Sequence, residues 1–441
     1  MIDQGLRSLV THEVGHTLGL RHNFYQSALH SLEEINDASK WTEHGYVGSI
    51  MEYAPVNVMP KGEKQGDYFS YRLGEYDEWV IEYGYRVFPG KTTESEKPEL
   101  EKIASKQSQR QYRYSTDEDC YGVTKNPYVN IWDLGSSPLE YAKVRARLVD
   151  QLLPGLNERI VKDGESFAPM RSRYNMLVNW KVNGMVFAAN YIGGLVVSRD
   201  FKGDEGAQKP FAVVPAKDQR DALAFLAKDC FGPEAFQIPS ELFDYLAPNR
   251  WMHWGSSVPS RYDYDVHANV LAMQTSILNQ LLSPSTLGRL ADAEMRVPEG
   301  EDVFTSAEMI STLNDAIFSE WHAVSKALKE NADGRVEMKL ASTRRNLQRA
   351  YLQRLSNFAL SSSSSAAMGD MTAIARMKLV ELANELDQIL ASDRVDYKSA
   401  KGRGDDAYAK AFLLDVREKI KLTLAPVQTT GGSSDGIVIS F

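Results

Sequence analysis

The sequence predicts a mainly α-helical protein, and three observations carry that expectation. Apolar residues recur at intervals of three and four through most of the chain after Pro138. No strand-rich segment interrupts them. A histidine-bearing stretch near the start, THEVGHTLGLRHNF (11–24), has helical spacing of its own. The chain has 441 residues, 43% hydrophobic and 25% charged, which is globular composition with room for two or three domains.

Charge and cysteine content exclude several classes. A net charge of −9 without a basic block argues against nucleic acid as a partner. Two cysteines, Cys120 and Cys230, cannot build a disulfide framework. No stretch reaches the roughly 18–20 apolar residues of a membrane span. GMVFAANYIGGLVV (184–197) is broken by Asn190 and by Gly193–Gly194, and reads as a buried helix entering a turn. MIDQGLRSLV has neither the basic nor the long apolar region of a signal peptide.

In chain order, residues 5–20 read as one helix ended at Gly19, followed by loops to about residue 70. Leu73, Tyr76, Val80 and Tyr83 then share a helical face in a second helix ending at Gly84. The polar run GKTTESEKPELEK (90–102) opens a linker or loop region expected over 91–137. From 138 to 425 the pattern is a helical domain. Its stripes are Tyr141, Val144, Leu148 and Leu152; Val270, Ile277, Leu278 and Leu281; Leu313, Ile317 and Trp321; and Leu379, Leu382, Leu386 and Leu390. Residues 426–441 read as a flexible tail with a short strand.

The chemistry concentrates at the start. His12 and His16 are four apart, so on a helix both imidazoles project from one face and can share a metal ion. Glu13 lies beside them, placed to act on water without ligating the metal. Gly19 lets the chain leave the helix and turn back, delivering His22 as a third ligand. Three neutral nitrogens leave zinc an open position, as in catalytic sites.

HEVGHTLGLRH fits the pattern HExxHxxGxxH and resembles the zinc signature of the metzincin metallopeptidases. The second hallmark of that family is a tight turn with methionine beneath the zinc, and SIMEY (49–53) fits it, with Met51 as an apolar floor that does not coordinate. HEVGHTLGLRHNF, SIMEY and YDEWVIEYGY together resemble a group of large bacterial zinc-dependent metalloproteases, usually exported. TDED (116–119) and DLGSSPLEYA (133–142) are similar with less specificity. The resemblance implies that residues 1–90 are the lower, C-terminal half of a metzincin catalytic domain, followed by a large helical domain. It also implies one zinc ion, a protein or peptide substrate and export. Tyr53 is either an additional, displaceable zinc ligand that steadies an oxyanion or a wall of the pocket. A hydrogen bond from Asn23 to the Met-turn backbone is expected. Metzincin catalytic domains also have an upper half built on a sheet, whose edge strand binds extended substrate. The expectation is that this chain is the C-terminal part of a longer exported precursor, with the face of the zinc helix that the sheet would cover left exposed.

Other groups have blander readings. Asp117, Glu118, Asp119 and Asp133 could offer oxygens to calcium, but match no EF-hand loop and read as a solvated acidic loop. RWMHW (250–254) reads as an aromatic loop packed between helices, through Trp251, His253 and Trp254. His267 and His322 read as structural, and no spacing ties His30 or His44 to the metal. Cys230, on a face with Leu223 and Leu226, reads as a buried inert thiol.

Three functions remain open at this stage: a zinc endopeptidase with Glu13 as base, a helical binding or scaffold module with an inert zinc site, and a metal-dependent hydrolase of another substrate. Glu13 favours the first, since a structural zinc site needs no base and takes a fourth protein ligand.

Overall fold

In a computed structural model, residues 1–121, 126–248, 253–255, 261–330, 334–362, 365–398 and 407–425 are described. The chain divides into two units, Met1–Val214 and Pro215–Phe441. Helices dominate both, as the periodicity predicts.

The first unit opens with α1 (Ile2–Thr17), three residues earlier at each end than its pattern suggested. Its end is set by Gly19, whose φ of +87° reverses the chain so that the Leu20 N–H returns to the Gly15 carbonyl. Loops, the one-turn helix α2 (Leu32–Ile35) and two 3-10 turns (Gln26–Ala28 and Ala38–Lys40) fill the span to α3 (Glu75–Tyr85). That helix starts after Leu73, because the Asp77 carboxylate accepts the Gly74 N–H and closes the first turn.

The region 91–137 is not a linker. It holds α4 (Thr93–Ala104), capped by the Thr92 hydroxyl, and α5 (Asp117–Tyr121). Ile103 of α4 is buried, and its carbonyl accepts the Trp79 indole N–H at 2.7 Å, which fastens α4 to α3.

Next come α6 (Pro138–Leu152), α7 (Leu156–Ile160) and α8 (Pro169–Ala189). Gly184 of α8 sits so close to Ala142 of α6 that an added Cβ would lie 3.0 Å from the Ala142 Cα, which lets the two backbones nearly touch. The turn after α8 leads to a short antiparallel pair, β1 (Leu195–Val197) and β2 (Phe211–Val213), registered Val196 to Ala212.

The boundary expected near residue 138 therefore falls inside this unit. The physical reason is a shared core: Tyr141 of α6 and Phe187 of α8 are buried with Ile35 of α2 and with Tyr46, Val47 and Leu134 from the loops. Burying such side chains is worth roughly 1.5–3 kcal/mol each, enough to hold the loops on α6 and α8.

The second unit contains α9 (Ala216–Asp229), α10 (Val266–Leu281), α11 (Pro284–Arg296), α12 (Ser306–Ile317) and α13 (Ser319–Glu330). After them come β3 (Val336–Lys339), α14 (Ser342–Ala359), α15 (Ala366–Ala391), β4 (Val395–Lys398) and α16 (Ala407–Leu424). α14 packs on α10, α15 and α16, burying Leu347, Tyr351, Leu352 and Leu355. β3 and β4 pair in parallel, with Val336 opposite Val395. Cys230 is buried as expected, whereas Trp254 is 97% exposed and does not pack between helices. Trp251 and the tail 426–441 lie outside the described residues.

Candidate metal centre

Each ligand histidine is aimed by a hydrogen bond on its far nitrogen. His12 Nδ1 donates to the Ile50 carbonyl at 2.8 Å, and His16 Nδ1 to the Leu20 carbonyl at 2.9 Å. His22 Nδ1 donates to Asp117 Oδ1 at 3.0 Å. A carbonyl or carboxylate can only accept, so these bonds place the proton on Nδ1 and leave Nε2 as the lone-pair atom. One nitrogen from each of the three rings lies within 4.8 Å of the others. His22 Nε2 is buried without a hydrogen-bond partner, which is costly for a polar atom that nothing else is to meet. The donor set fits zinc: three neutral imidazoles on one centre, each with an outer partner.

Burial holds His12 below its ordinary pKa, and the neighbouring His16 and His22 push the same way against the Ile50 carbonyl and Glu13. Neutral imidazole is the form that binds metal. Asp117 is pushed up by burial, but its hydrogen bond with His22, together with the positive charge that ring carries whenever it is protonated, outweighs that and keeps it below the ordinary carboxylate value.

Met51 is fully buried under the helix. Its sulfur occupies the space that a side chain at residue 15 would need: a Cβ on Gly15 would lie 2.4 Å from Sδ. Glycine inside the histidine motif thus lets the methionine reach the floor of the site. The turn carrying Met51 is held by Asp77, which accepts Ser49 Oγ at 2.6 Å and the Ile50 N–H at 2.8 Å while also capping α3. The Asn23 backbone N–H donates to the Met51 carbonyl at 3.1 Å. The expected Asn23 contact therefore exists through its main chain; its side chain goes to the Arg113 carbonyl instead.

Tyr53 stands against the histidines. Its ring centroid is 4.4 Å from that of His22 and 5.3 Å from that of His12. On its other side Trp132 stacks at 5.4 Å, nearly parallel. Trp132 has a φ of +70°, an uncommon backbone state for a bulky residue, and its N–H bonds the Tyr53 carbonyl at 3.1 Å. Glu13 is exposed beside the histidines.

The acidic residues read as a solvated loop have separate structural partners. Glu118 pairs with Arg21 at 2.8 Å and Asp119 with Arg199 at 2.7 Å. Asp133 is fully buried, accepting Ser27 Oγ at 2.7 Å and Asn130 Nδ2 at 2.9 Å. Glu52, buried in the Met-turn, accepts the N–H of the same Ser27. Glu52 and Asp133 together hold the loop that follows the third histidine. Burial pushes both carboxyls up, Asp133 to about 6, and the charge of Asp133 raises Glu52 further. Among the described residues, the His12, His16 and His22 group is the one gathered closely enough to hold a metal ion. His30 packs on Trp41, His44 faces Glu78, and His322 bonds Glu385 in the second unit.

The roles of Asp77, Asp117, Glu52 and Asp133 are not legible in the segments YDEW, TDED, SIMEY and DLGSS that carry them. The missing signal was long-range pairing, which no local spacing encodes.

Three histidines on a helix and its return loop, an acid between them and a methionine floor define a metzincin-type metal centre. The family model described as Met-zincin matches residues 1–324, and the chain belongs to that family, one of zinc-dependent peptidases. Searches of curated proteins and of solved structures returned no match.

Proposed function

We propose that the chain is a zinc-dependent endopeptidase whose ligands are His12, His16 and His22 and whose general base is Glu13. The observation that carries this reading is that all three Nδ1 atoms are spent on oxygen acceptors, leaving three Nε2 atoms to converge. Zinc held there supplies Lewis-acid activation of water and of the scissile carbonyl. The Glu13 carboxylate takes the proton from the attacking water and passes it to the leaving amine. The Tyr53 phenol, held between the histidines and Trp132, donates a hydrogen bond to the carbonyl oxygen as it gains charge.

The protein acts outside the cytoplasm of a bacterial cell, as its resemblance to exported proteases implies. Its cleft is completed by a strand-bearing half-domain that covers α1. Leu6, Leu9, Val10 and Val14 of α1 are each about half exposed or more, forming an apolar stripe that suits such a cover.

The test is zinc content and turnover together. Metal analysis after zinc loading and dialysis should give close to one equivalent, and less than a tenth would sink the site. Glu13→Gln should keep that zinc and lose most hydrolysis of a quenched peptide library, by the 10²–10⁴-fold typical of a general base. Loss of zinc along with activity would instead make Glu13 a ligand.

A further inference from the structure

We propose that the cavity beside the metal centre is a carboxylate-binding subsite read by Arg145. The identification of its ligand as a peptide rests on the peptidase reading above. The cavity measures about 760 Å³ and begins where the Met-turn ends, at Ala54, Pro55 and Val56. It shares a wall with the metal centre: Trp132 lines it and stacks on Tyr53, whose ring packs against His22.

Among the described residues that line it, Arg145, from α6, is the one charged side chain. It is only 3% exposed. Its Nε donates to the Tyr141 hydroxyl at 2.5 Å, and its two terminal nitrogens to the Val56 and Val58 carbonyls at 2.6 and 3.5 Å. The Tyr141 and Trp180 rings each lie 4.8 Å from the guanidinium carbon. Every one of these partners is neutral. Among the described residues, the other deeply buried guanidinium, Arg344, is paired with Glu320 at 2.6 Å. A buried cation without an anion is costly, and an entering carboxylate would offset that cost. The hydrogen bonds that anchor Arg145 leave part of its donor set unused and fix the plane of the fork, which favours a planar, bidentate anion.

The opposite wall points to a peptide. Asn175, Asn179 and Asn183 recur every fourth residue along α8 and all line the cavity, with Ser172 at its end. Side-chain amides both donate and accept, as an extended peptide backbone requires. A carboxylate reaches Arg145 in such a ligand either as an acidic side chain or as the free C-terminus.

Calorimetric titration with short Ala/Leu peptides separates these sources. One pair carries Glu or Gln at a single position between blocked ends; the other is neutral, with a free or an amidated C-terminus. The protein is zinc-loaded and carries Glu13→Gln so that peptides stay intact, and the titrations are repeated without zinc. A carboxylate peptide should bind about tenfold or more tighter than its neutral twin in both states, as expected for a charge-assisted bidentate pair. Preference in the first pair identifies a side chain, and in the second a C-terminus. Arg145→Gln should bring the ratio to about one. Met176→Trp, which narrows the cavity from α8 without touching the Arg145 hydrogen bonds, should weaken both members of a pair. Equal affinities within each pair for otherwise unaltered protein, or a preference that survives Arg145→Gln, would overturn the proposal. Hydrolysis without preference leaves the peptidase standing and removes the subsite; preference without hydrolysis in the zinc-loaded chain with Glu13 intact does the reverse.

Discussion

Asp117 lies 95 residues from His22 in sequence, yet its carboxylate decides how that imidazole points. Without it, the His22 ring loses the bond that fixes its tautomer, and outer partners of this kind are worth about 10–100-fold in metal affinity. Asp117→Ala should therefore weaken zinc binding by that factor in competition with a chelator, while the fold measured by circular dichroism persists. Unchanged affinity would show that His22 is held by packing on Phe24 and Tyr53 alone. The three ligands themselves were legible, because their spacing operates within one helix and one turn. Asp117 was visible only as an acid in an acidic run, since its purpose depends on a partner brought near by folding. Asp133 gives a second test, in pH. Burial raises its folded pKa to about 6, against an unfolded value near 3.9, while hydrogen bonds from Ser27 and Asn130 pull the other way. The native state therefore holds the proton more tightly, so the stability from this group is complete below about pH 4 and is lost as pH rises through 6. The whole shift of about two units is worth at most about 3 kcal/mol. Relative to unaltered protein, Asp133→Asn should gain stability between pH 4 and pH 7.5 in urea unfolding of the metal-free chain. A difference that does not change with pH would mean that Asp133 stays charged in the folded state.

Elements meet at the metal centre through contacts too close to tolerate a larger residue, and Gly15 is the clearest case. Alanine in the middle of a helix is ordinarily better than glycine by about 0.5–1 kcal/mol. At residue 15 the new methyl group would overlap the Met51 sulfur, and overpacking of this kind costs about 1–3 kcal/mol. The second effect wins. Gly15→Ala should lower stability by on the order of 1–2 kcal/mol, the balance of those two terms. Adding Met51→Ala should make the Gly15→Ala step less costly, or reverse it, in a double-mutant cycle read by thermal unfolding. Equal cost in both backgrounds would place the strain elsewhere. The helices were legible where an apolar face repeats over several turns, as in α10, α12 and α15. Residues 91–137 were misread because α4 is polar on nearly every turn and is fixed by Ile103 and one indole hydrogen bond. The expected division at residue 138 failed for a related reason. Periodicity shows that α6 has an apolar face but not that this face closes over loops from residues 35–47.

At the scale of the whole molecule, α1 poses the largest energetic question, because it carries two metal ligands and, directly alongside them, an unburied apolar stripe. Leu6, Leu9, Val10 and Val14 are 49–60% exposed, and Ile2 80%. Helices of globular proteins turn such stripes toward a core. Single exposed apolar residues are ordinary, but a contiguous row over three turns marks an interaction surface or an aggregation liability. Substituting part of this row with charge separates its role in the fold from its role in association. If the stripe contributes nothing to the unit itself, Leu6→Glu with Val14→Glu should change unfolding free energy by no more than about 0.5 kcal/mol, the usual range at exposed sites. Zinc content should also stay near that of unaltered protein, since the bonds that aim His12 and His16 go to the Ile50 and Leu20 carbonyls and involve neither substituted side chain. The effect should appear instead in concentration-dependent association. Sedimentation of the unaltered chain should show reversible self-association that the doubly substituted chain lacks. A loss of several kcal/mol of stability on substitution would show that the stripe is already part of a core, and a covering half-domain would then have no surface on α1 to occupy.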